Sequence, residues 1–144
     1  MCGIAGLIHR GKSSNVGEEL QHMLQALKHR GPDSTGYALY ANNDGQNFIL
    51  RFKVGENVGE GSTSVNEDES VYNERKKIVD KKLSELGALV IKEEKLTPYS
   101  YRYEIKFDKD LMEFSKAIES IESVEILSIG KSLELIKDLG DATV

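Results

Sequence analysis

The residue best suited to chemistry is Cys2, the single cysteine of the chain, which directly follows Met1. If Met1 is removed, Cys2 carries both a thiol and a free α-amine. The pKa of an α-amine lies near 8 and that of a free thiol near 8.5, so at about neutral pH the amine can accept the thiol proton. The position predicts a nucleophile with its own base; the alternative is a small buried apolar residue.

The elements around Cys2 follow from apolar spacing. Residues 3–9 are predicted to form a buried strand, because they contain apolar residues and small residues that allow close backbone approach. The apolar residues are Ile4, Leu7 and Ile8, and the small ones are Gly3, Ala5 and Gly6. A helix is predicted from Asn15, with Glu18 completing a capping box, to about residue 29. Its core residues would be Leu20, Met23, Leu24 and Leu27. Gly31 and Pro32 would end it.

Two strands are predicted next, over residues 35–41 and 47–53. The intervening Asn-Asn-Asp-Gly sequence is typical of a hairpin, because these residues tolerate positive φ. Residues 55–70 are rich in Gly, Ser and acidic residues and predict a flexible connection.

The remaining chain predicts a small α+β module at residues 71–129 that builds its own core. Its elements would be a helix over 71–86 ending at Gly87, a strand at 88–92, a strand that begins at Tyr99, a helix over 109–122 capped by Asp108, and a strand at 124–129. In the second strand Tyr99, Tyr101, Tyr103, Ile105 and Phe107 share one face, which we interpret as core rather than as a platform for bases. A short helix over 132–139 would follow.

Composition restricts the class of protein. Hydrophobic residues make up 39% and charged residues 30% of the chain, as in a soluble domain. The net charge of −5 argues against a nucleic-acid binder, and no apolar run reaches the roughly 18 residues of a membrane span. No signal peptide is visible. We therefore expect a cytoplasmic protein without nucleic-acid or membrane partners.

The start MCGIAGLIHR, together with HRGPDSTGYALY at residues 29–40, resembles the class II glutamine amidotransferases, whose glutaminase domain is an N-terminal nucleophile hydrolase. Within that family the chain is most similar to the amidotransferase subunits or domains of archaeal-type glutamate synthase. The phrase His29-Arg30-Gly31-Pro32-Asp33 also occurs in asparagine synthetases.

This resemblance implies a catalytic Cys2 that releases ammonia from L-glutamine through a γ-glutamyl thioester, without metal or cofactor. It also implies an orienting, electrostatic role for Arg30 and a backbone role for Gly31 in holding the Cys2 amine. The alternative is that Arg30 is a helix C-terminal cation and Gly31 a plain helix stop. A synthase or other acceptor subunit would use the ammonia.

Several family motifs are missing from these 144 residues. They are the His-Thr-Arg motif that binds the glutamine carboxylate, the Asn-Gly pair of the oxyanion hole, and the later acidic residue that holds the substrate amine. Because loss of one oxyanion donor typically costs a factor of about 100 to 1000 in rate, we expect the chain alone to be a poor glutaminase. The alternative is a non-catalytic regulatory or interaction module.

The predicted fold is thus α+β, with part of an N-terminal nucleophile hydrolase layer and an additional small α+β module. Residues 1–54 would form the N-terminal part of the amidotransferase domain, 55–70 a connection, 71–129 an inserted module, and 130–144 an incomplete return to the amidotransferase fold.

Overall fold

The computed structural model describes residues 3–11, 15–30, 34–40, 45–55 and 68–139. The helices are α1 (Val16–Ala26), α2 (Glu69–Leu86) and α3 (Leu111–Glu119), with a 3₁₀ turn at Lys28–Arg30. The strands are β1 (Ser34–Tyr40), β2 (Phe48–Lys53), β3 (Leu89–Lys95), β4 (Ser100–Lys106), β5 (Glu125–Gly130) and β6 (Leu133–Leu139). A mixed α+β fold is confirmed.

The chain divides into two compact units, which are described separately below. Unit 1 comprises residues 1–36 and 137–144, and unit 2 comprises residues 37–136. The chain passes between the units twice, within β1 and within β6, and these two strands pair with each other in a two-stranded sheet.

Unit 2 is organised around a four-stranded sheet with the order β3-β4-β2-β5. Every neighbouring pair in it is antiparallel. Along the chain these elements follow the sequence β2-α2-β3-β4-α3-β5. This β-α-β-β-α-β order, with the first strand inserted beside the third, is the ferredoxin-like arrangement.

One face of this sheet carries the core and both helices of unit 2. Because side chains alternate along a strand, Leu50 and Phe52 of β2 share a face with Tyr101 and Tyr103 of β4. That face packs against the buried side chains of the helices, which are Tyr72, Val79 and Leu83 of α2 and Phe114 and Ile118 of α3. The predicted alternation of β4, from Tyr99 to Phe107, is confirmed as core.

Helix α2 forms as its sequence predicts. The Asp68 side chain accepts a hydrogen bond from the Ser70 amide at the N-terminus. At the C-terminus Gly87 adopts a left-handed conformation with φ of 85°, which glycine reaches without a Cβ penalty. Helix α3 is capped by Asp110, whose carboxylate accepts from the amides of Met112 and Glu113. The predicted cap at Asp108 was wrong by two residues, since an Asp caps only when its oxygen reaches the free amides of the first turn.

The predicted hairpin between the first two long strands is wrong. Both strands form, but β1 pairs with β6, whereas β2 pairs with β4 and β5. A turn-forming sequence allows a reversal of the chain but does not select the partner strand.

Two further predictions of secondary structure are wrong. Residues 3–9 form neither helix nor strand, and no described strand pairs with them. Their three small residues give a strand few side chains to pack. The predicted helix over 132–139 is instead the strand β6, whose pairing with β1 overrides the helical spacing of its leucines.

The predicted module at residues 71–129 does not build a core by itself. Strand β2 precedes the predicted connection, yet it lies between β4 and β5 and contributes Leu50, Phe52 and Val54 to the core. The helix stop at Gly31-Pro32, most of the turn at 42–45 and most of the connection at 55–70 lie outside the described residues.

Candidate functional site

Of the three predicted site residues, the structure describes only part of one. Cys2 and Gly31 lie outside the described residues, and Arg30 is described as the last residue of the 3₁₀ turn without its side chain. Their assignment therefore stays a prediction. What can be described is how the flanking segments are held.

The segment that follows Cys2 is fixed to α1 through His9. The His9 Nε2 atom lies 3.0 Å from Glu19 Oε2, within hydrogen-bonding distance. Both side chains are partly exposed, so the contact contributes at most about 1 kcal/mol. Its importance is positional, because it joins the segment that begins two residues after Met1 to the first turns of the helix.

Helix α1 is started by Asn15, which presents Glu19 to His9. The Asn15 Oδ1 atom accepts a hydrogen bond from the Glu18 amide at 3.4 Å, as predicted for the cap. The Glu18 carboxylate returns to the Asn15 side-chain amide at 2.8 Å, rather than to its backbone amide as in a standard capping box. The predicted start of the helix is confirmed.

The chain reaches Arg30 through a tightened helix end. Helix α1 ends at Ala26, the Leu27 amide bonds to the Leu24 carbonyl at 2.9 Å, and the 3₁₀ turn continues to Arg30. A 3₁₀ turn is a common way for a helix to satisfy its last carbonyls. The predicted motif at residues 30–31 therefore begins where regular helical structure stops.

Unit 2 contains a buried ion cluster that the sequence did not predict. Arg51 of β2 and Arg102 of β4 are cross-strand partners on the sheet face opposite the helices. Between them lies the Glu134 carboxylate of β6. Its Oε2 atom accepts from Arg51 Nε at 2.6 Å and from Arg102 Nε at 2.9 Å, and its Oε1 atom accepts from Arg102 Nη2 at 2.8 Å.

Burial makes this cluster energetically significant. Glu134 is 5% exposed and Arg51 8% exposed. The hydrogen bonds from Arg102, followed by those from Arg51, outweigh the effect of burial and hold the pKa of Glu134 below its usual value. Removal of Glu134 would leave the buried Arg51 guanidinium without this carboxylate partner, which is a costly change inside a protein. The cluster therefore fixes the start of β6, within unit 2, against β2 and β4.

A second polar network lies on the helix side of the sheet. Lys76 of α2 bonds to Asp80 at 2.9 Å and to Glu93 of β3 at 2.8 Å. The Tyr103 hydroxyl donates to Asp80 at 2.8 Å. Burial is the main cause that raises the pKa of Tyr103, and the acceptor Asp80 adds to it. By contrast, the buried Tyr101 hydroxyl has no hydrogen-bond partner among the described residues.

In both networks each charged group lies beside a group of opposite charge, so we interpret them as contacts that position strands. Among the described residues, no group of His, Cys, Asp and Glu side chains is arranged to hold a metal ion. The helices in the described part of the chain are too short or too polar to cross a membrane. The sequence carried no signal for the ion cluster, since Glu134 lies between two leucines in a stretch with helical spacing.

One family model matches the N-terminal part of the chain. Residues 1–51 match the family model described as the glutamine amidotransferase domain. This range contains Cys2, Arg30 and Gly31, together with α1 and β1 and most of β2.

Two curated relatives are similar to the chain. One, from Methanothermobacter thermautotrophicus, has been provisionally named a glutamine amidotransferase. It is 31% identical over 145 residues, and the alignment covers 97% of this chain and 44% of that protein. The other, from Methanocaldococcus jannaschii, is named by inference as a glutamine-hydrolysing asparagine synthetase and is 50% identical over 40 residues, 28% of this chain and 8% of that protein. The chain thus spans less than half the length of either relative. No solved structure matches it significantly.

Proposed function

We propose that the chain is the N-terminal part of a class II glutamine amidotransferase domain and that Cys2 is its nucleophile. The observation that carries this proposal is the match of residues 1–51 to the glutamine amidotransferase domain model. The similarity to the Methanothermobacter relative supports it over nearly the whole chain. We further propose the N-terminal nucleophile hydrolase fold for residues 1–54 and 130–144, with an inserted module between them.

In the proposed reaction the thiol of Cys2 is the nucleophile and its α-amine is the base. The amine takes the thiol proton, and the thiolate sulfur attacks the side-chain amide carbon of glutamine to form a tetrahedral oxyanion. The C–N bond breaks as the ammonium proton passes to the leaving nitrogen, which releases ammonia and leaves a γ-glutamyl thioester. Water, deprotonated by the amine, then cleaves the thioester to glutamate and restores the thiol.

Two described features support this placement of the site. The His9–Glu19 contact fixes the segment behind Cys2 to α1, and the same helix leads through the 3₁₀ turn to Arg30. We propose that Arg30 orients the substrate electrostatically and that the Gly31 backbone holds the Cys2 amine. Both roles concern atoms outside the described residues.

The biological setting proposed is nitrogen assimilation of the glutamate synthase type, in the cytoplasm. L-glutamine is the substrate, and a synthase or other acceptor subunit uses the ammonia. The shorter match to the Methanocaldococcus protein favours a second candidate, an asparagine synthetase-like glutaminase portion. Both candidates require the same chemistry at Cys2 and differ in the ammonia acceptor.

The test is covalent labelling with a diazoketone analogue of glutamine. Intact mass spectrometry of the purified chain first reports whether Met1 has been removed. We then expect one adduct, mapped to Cys2, and ammonia release from glutamine that Cys2→Ala abolishes. Because Cys2 is the only cysteine, a general thiol reagent applied in parallel reports its accessibility independently of glutamine recognition.

Other results of these experiments would contradict the proposed glutaminase function. Neither adduct nor ammonia, with Met1 removed and with candidate acceptor subunits present, would overturn the proposal. If Cys2→Ala leaves every measurable function unchanged, a non-catalytic regulatory or interaction module is the better description. A downstream coding frame for His-Thr-Arg and Asn-Gly motifs would support the proposed site.

A further inference from the structure

We propose that strand β3 pairs with β3 of a second copy of the chain, so that two four-stranded sheets join edge to edge. The surface consists of β3 (Leu89–Lys95) together with Leu96, and we call it the β3 edge. It lies entirely within unit 2. The inference goes beyond the proposed glutaminase function and does not depend on it.

The β3 edge is the more open of the two edges of the four-stranded sheet. Among the described strands, β3 pairs with β4 alone, and at the other edge β5 pairs with β2 alone. Six of the seven residues of β3 are exposed, whereas five of the six residues of β5 are half-buried. The exposed residues include Leu89 and Ile91, and Leu96 directly follows the strand. An open edge strand with exposed apolar side chains is a template for pairing with another chain.

The backbone groups that β3 can offer to another strand follow from its pairing with β4. The Leu96 amide donates to the Ser100 carbonyl at 2.9 Å, so the polar backbone groups of Leu96 are directed towards β4. In an antiparallel pair such groups alternate between the two sides of a strand. The amides and carbonyls of Glu93 and Lys95 therefore point away from β4, to the side on which no described strand pairs with β3.

The charges of β3 identify a second copy as the partner. If a twofold axis passes through Glu94, then Glu93 of each copy lies directly opposite Lys95 of the other, so both hydrogen-bonded pairs also bring opposite charges together. An axis through Glu93 would set Glu93 against its own copy and extend into the bulge between Val90 and Lys92, where the pairing with β4 is irregular. The axis through Glu94 therefore fits both the backbone and the charges better.

The remaining charges of the strand do not oppose this arrangement. Glu94 would face its own copy at the axis, but its carboxylate already lies beside Lys92 and Arg102 of the same chain. Lysines on an edge strand usually discourage pairing. Here residues 92–95 are Lys-Glu-Glu-Lys and carry no net charge. The side chains of Glu93 and Lys95 are each 43% exposed, so they can reach a second copy.

The experiment measures self-association of the full chain by sedimentation velocity, at about 5 to 500 µM, which brackets the dissociation constants of a weak interface. The test variants are Glu93→Lys and Lys95→Glu, each of which places like charges opposite each other twice in the paired strands. The matched controls are Glu122→Lys and Lys81→Glu, which make the same changes of charge at exposed positions of unit 2 outside the β3 edge. Circular dichroism checks that every variant is folded.

We expect a dimer that each test variant weakens on the order of tenfold, whereas each control changes the dissociation constant less than about twofold. An equimolar mixture of the two test variants should regain the association, because the mixture again places opposite charges across both pairs. In the native chain, amide hydrogen exchange at Glu93 and Lys95 should slow as the protein concentration rises. Exchange of the Leu96 amide, which is already bonded to Ser100, should not depend on concentration.

Several outcomes would overturn the inference. A chain that stays monomeric up to the highest concentration would do so, as would a dimer that the controls weaken as much as the test variants do. Formation of a dimer without slower exchange at Glu93 and Lys95 would place the interface elsewhere. Failure of the two folded test variants to associate with each other would reject the axis through Glu94. If a variant does not fold, the concentration dependence of exchange in the native chain decides alone.

Discussion

The Arg102 guanidinium holds the Glu134 carboxylate through two parallel hydrogen bonds of 2.9 and 2.8 Å, from Nε and Nη2. This bidentate geometry is the strongest form of a charge-assisted pair. Arg51 adds a third bond to the same carboxylate. The start of β6, which carries Glu134 and belongs to unit 2, is therefore held to the four-stranded sheet by contacts between residues far apart in the chain.

Replacing Glu134 should test the contribution of this cluster to stability. Glu134→Gln keeps the shape of the side chain but removes the carboxylate that pairs with the buried Arg51 and leaves Arg102 with the 3.3 Å contact to Glu94. We therefore expect the free energy of unfolding to fall by about 3 kcal/mol. Urea titration followed by circular dichroism measures it. The exposed Glu122 provides the control Glu122→Gln, which should cost less than about 0.5 kcal/mol. Equal losses in the two variants would contradict the assignment.

The same cluster predicts a pH dependence. The pKa of Glu134 is lower in the folded chain than its ordinary value, so the ionised carboxylate stabilises the fold at pH values above the unfolded-state pKa of about 4.3. That contribution is lost as the pH falls through the lower folded-state pKa. The stability gap between the native chain and Glu134→Gln should therefore be full at pH 7 and narrow towards pH 3. A gap that stays constant over this range would exclude Glu134 as the titrating group.

Two neighbouring tyrosines allow a comparison of two variants that each lose one buried hydroxyl group. The Tyr103 hydroxyl donates to Asp80, whereas the equally buried Tyr101 hydroxyl has no partner among the described residues. Tyr103→Phe should lower the free energy of unfolding by about 1 to 3 kcal/mol, because Asp80 loses a donor. Tyr101→Phe should leave it unchanged or raise it by up to about 1 kcal/mol. Denaturant titrations of both variants measure these changes. If Tyr101→Phe were less stable than Tyr103→Phe, the hydrogen bonding assigned to the two hydroxyl groups would be wrong.

The end of α2 depends on the left-handed conformation of Gly87, with φ of 85°. In Gly87→Ala the added Cβ disfavours this conformation, so we expect a loss of about 1 to 2 kcal/mol in unfolding free energy. Asparagine tolerates the left-handed region better than alanine does, so Gly87→Asn should lose less. Thermal unfolding of the two variants measures the difference. If alanine is tolerated as well as asparagine, backbone conformation is not what selects glycine at this position.

The cap of α1 should control the local stability of the helix that leads to Arg30. Asn15→Ala removes the acceptor for the Glu18 amide, and we expect the opening free energy of the first turns of α1 to fall by about 1 kcal/mol. Amide hydrogen exchange measures it residue by residue. The control is Asn73→Ala, on an exposed residue inside α2, which should not reduce protection there because alanine favours a helix. Unchanged exchange in α1 of Asn15→Ala would show that the cap contributes nothing.

The sequence predicted correctly those secondary-structure elements that depend on residues close together in the chain. The alternation from Tyr99 to Phe107 identified β4 and its buried face, and Gly87 marked the end of α2. Strand pairing could not be predicted in this way, because Leu50 and Phe52 are compatible with several partner strands. Their actual partners lie between 49 and 79 positions further along the chain. Burial of Glu134 was not predictable for the same reason, since its two arginines lie on other strands.

For the candidate site the sequence is more informative than the structure. Its residues are predicted from motifs at the start of the chain and after α1, and the family match over residues 1–51 includes both motifs. The geometry of Cys2 and Gly31 stays a prediction, because those residues lie outside the described part of the chain. What the structure adds is how their neighbours are held, by His9 with Glu19 and by the cap at Asn15.

The central place of β2 has a consequence for synthesis on the ribosome. Its register joins Phe48 to Ile105 on one side and Ile49 to Gly130 on the other. During translation β2 therefore emerges long before either partner. One of its edges stays unpaired until β4 has been made, at about Lys106, and the other until β5 has been made, at about Gly130. Pairing over such separations slows folding, and waiting strands are exposed to aggregation. The nascent chain would be most in need of chaperones after β2 has left the exit tunnel and before β5 has followed it.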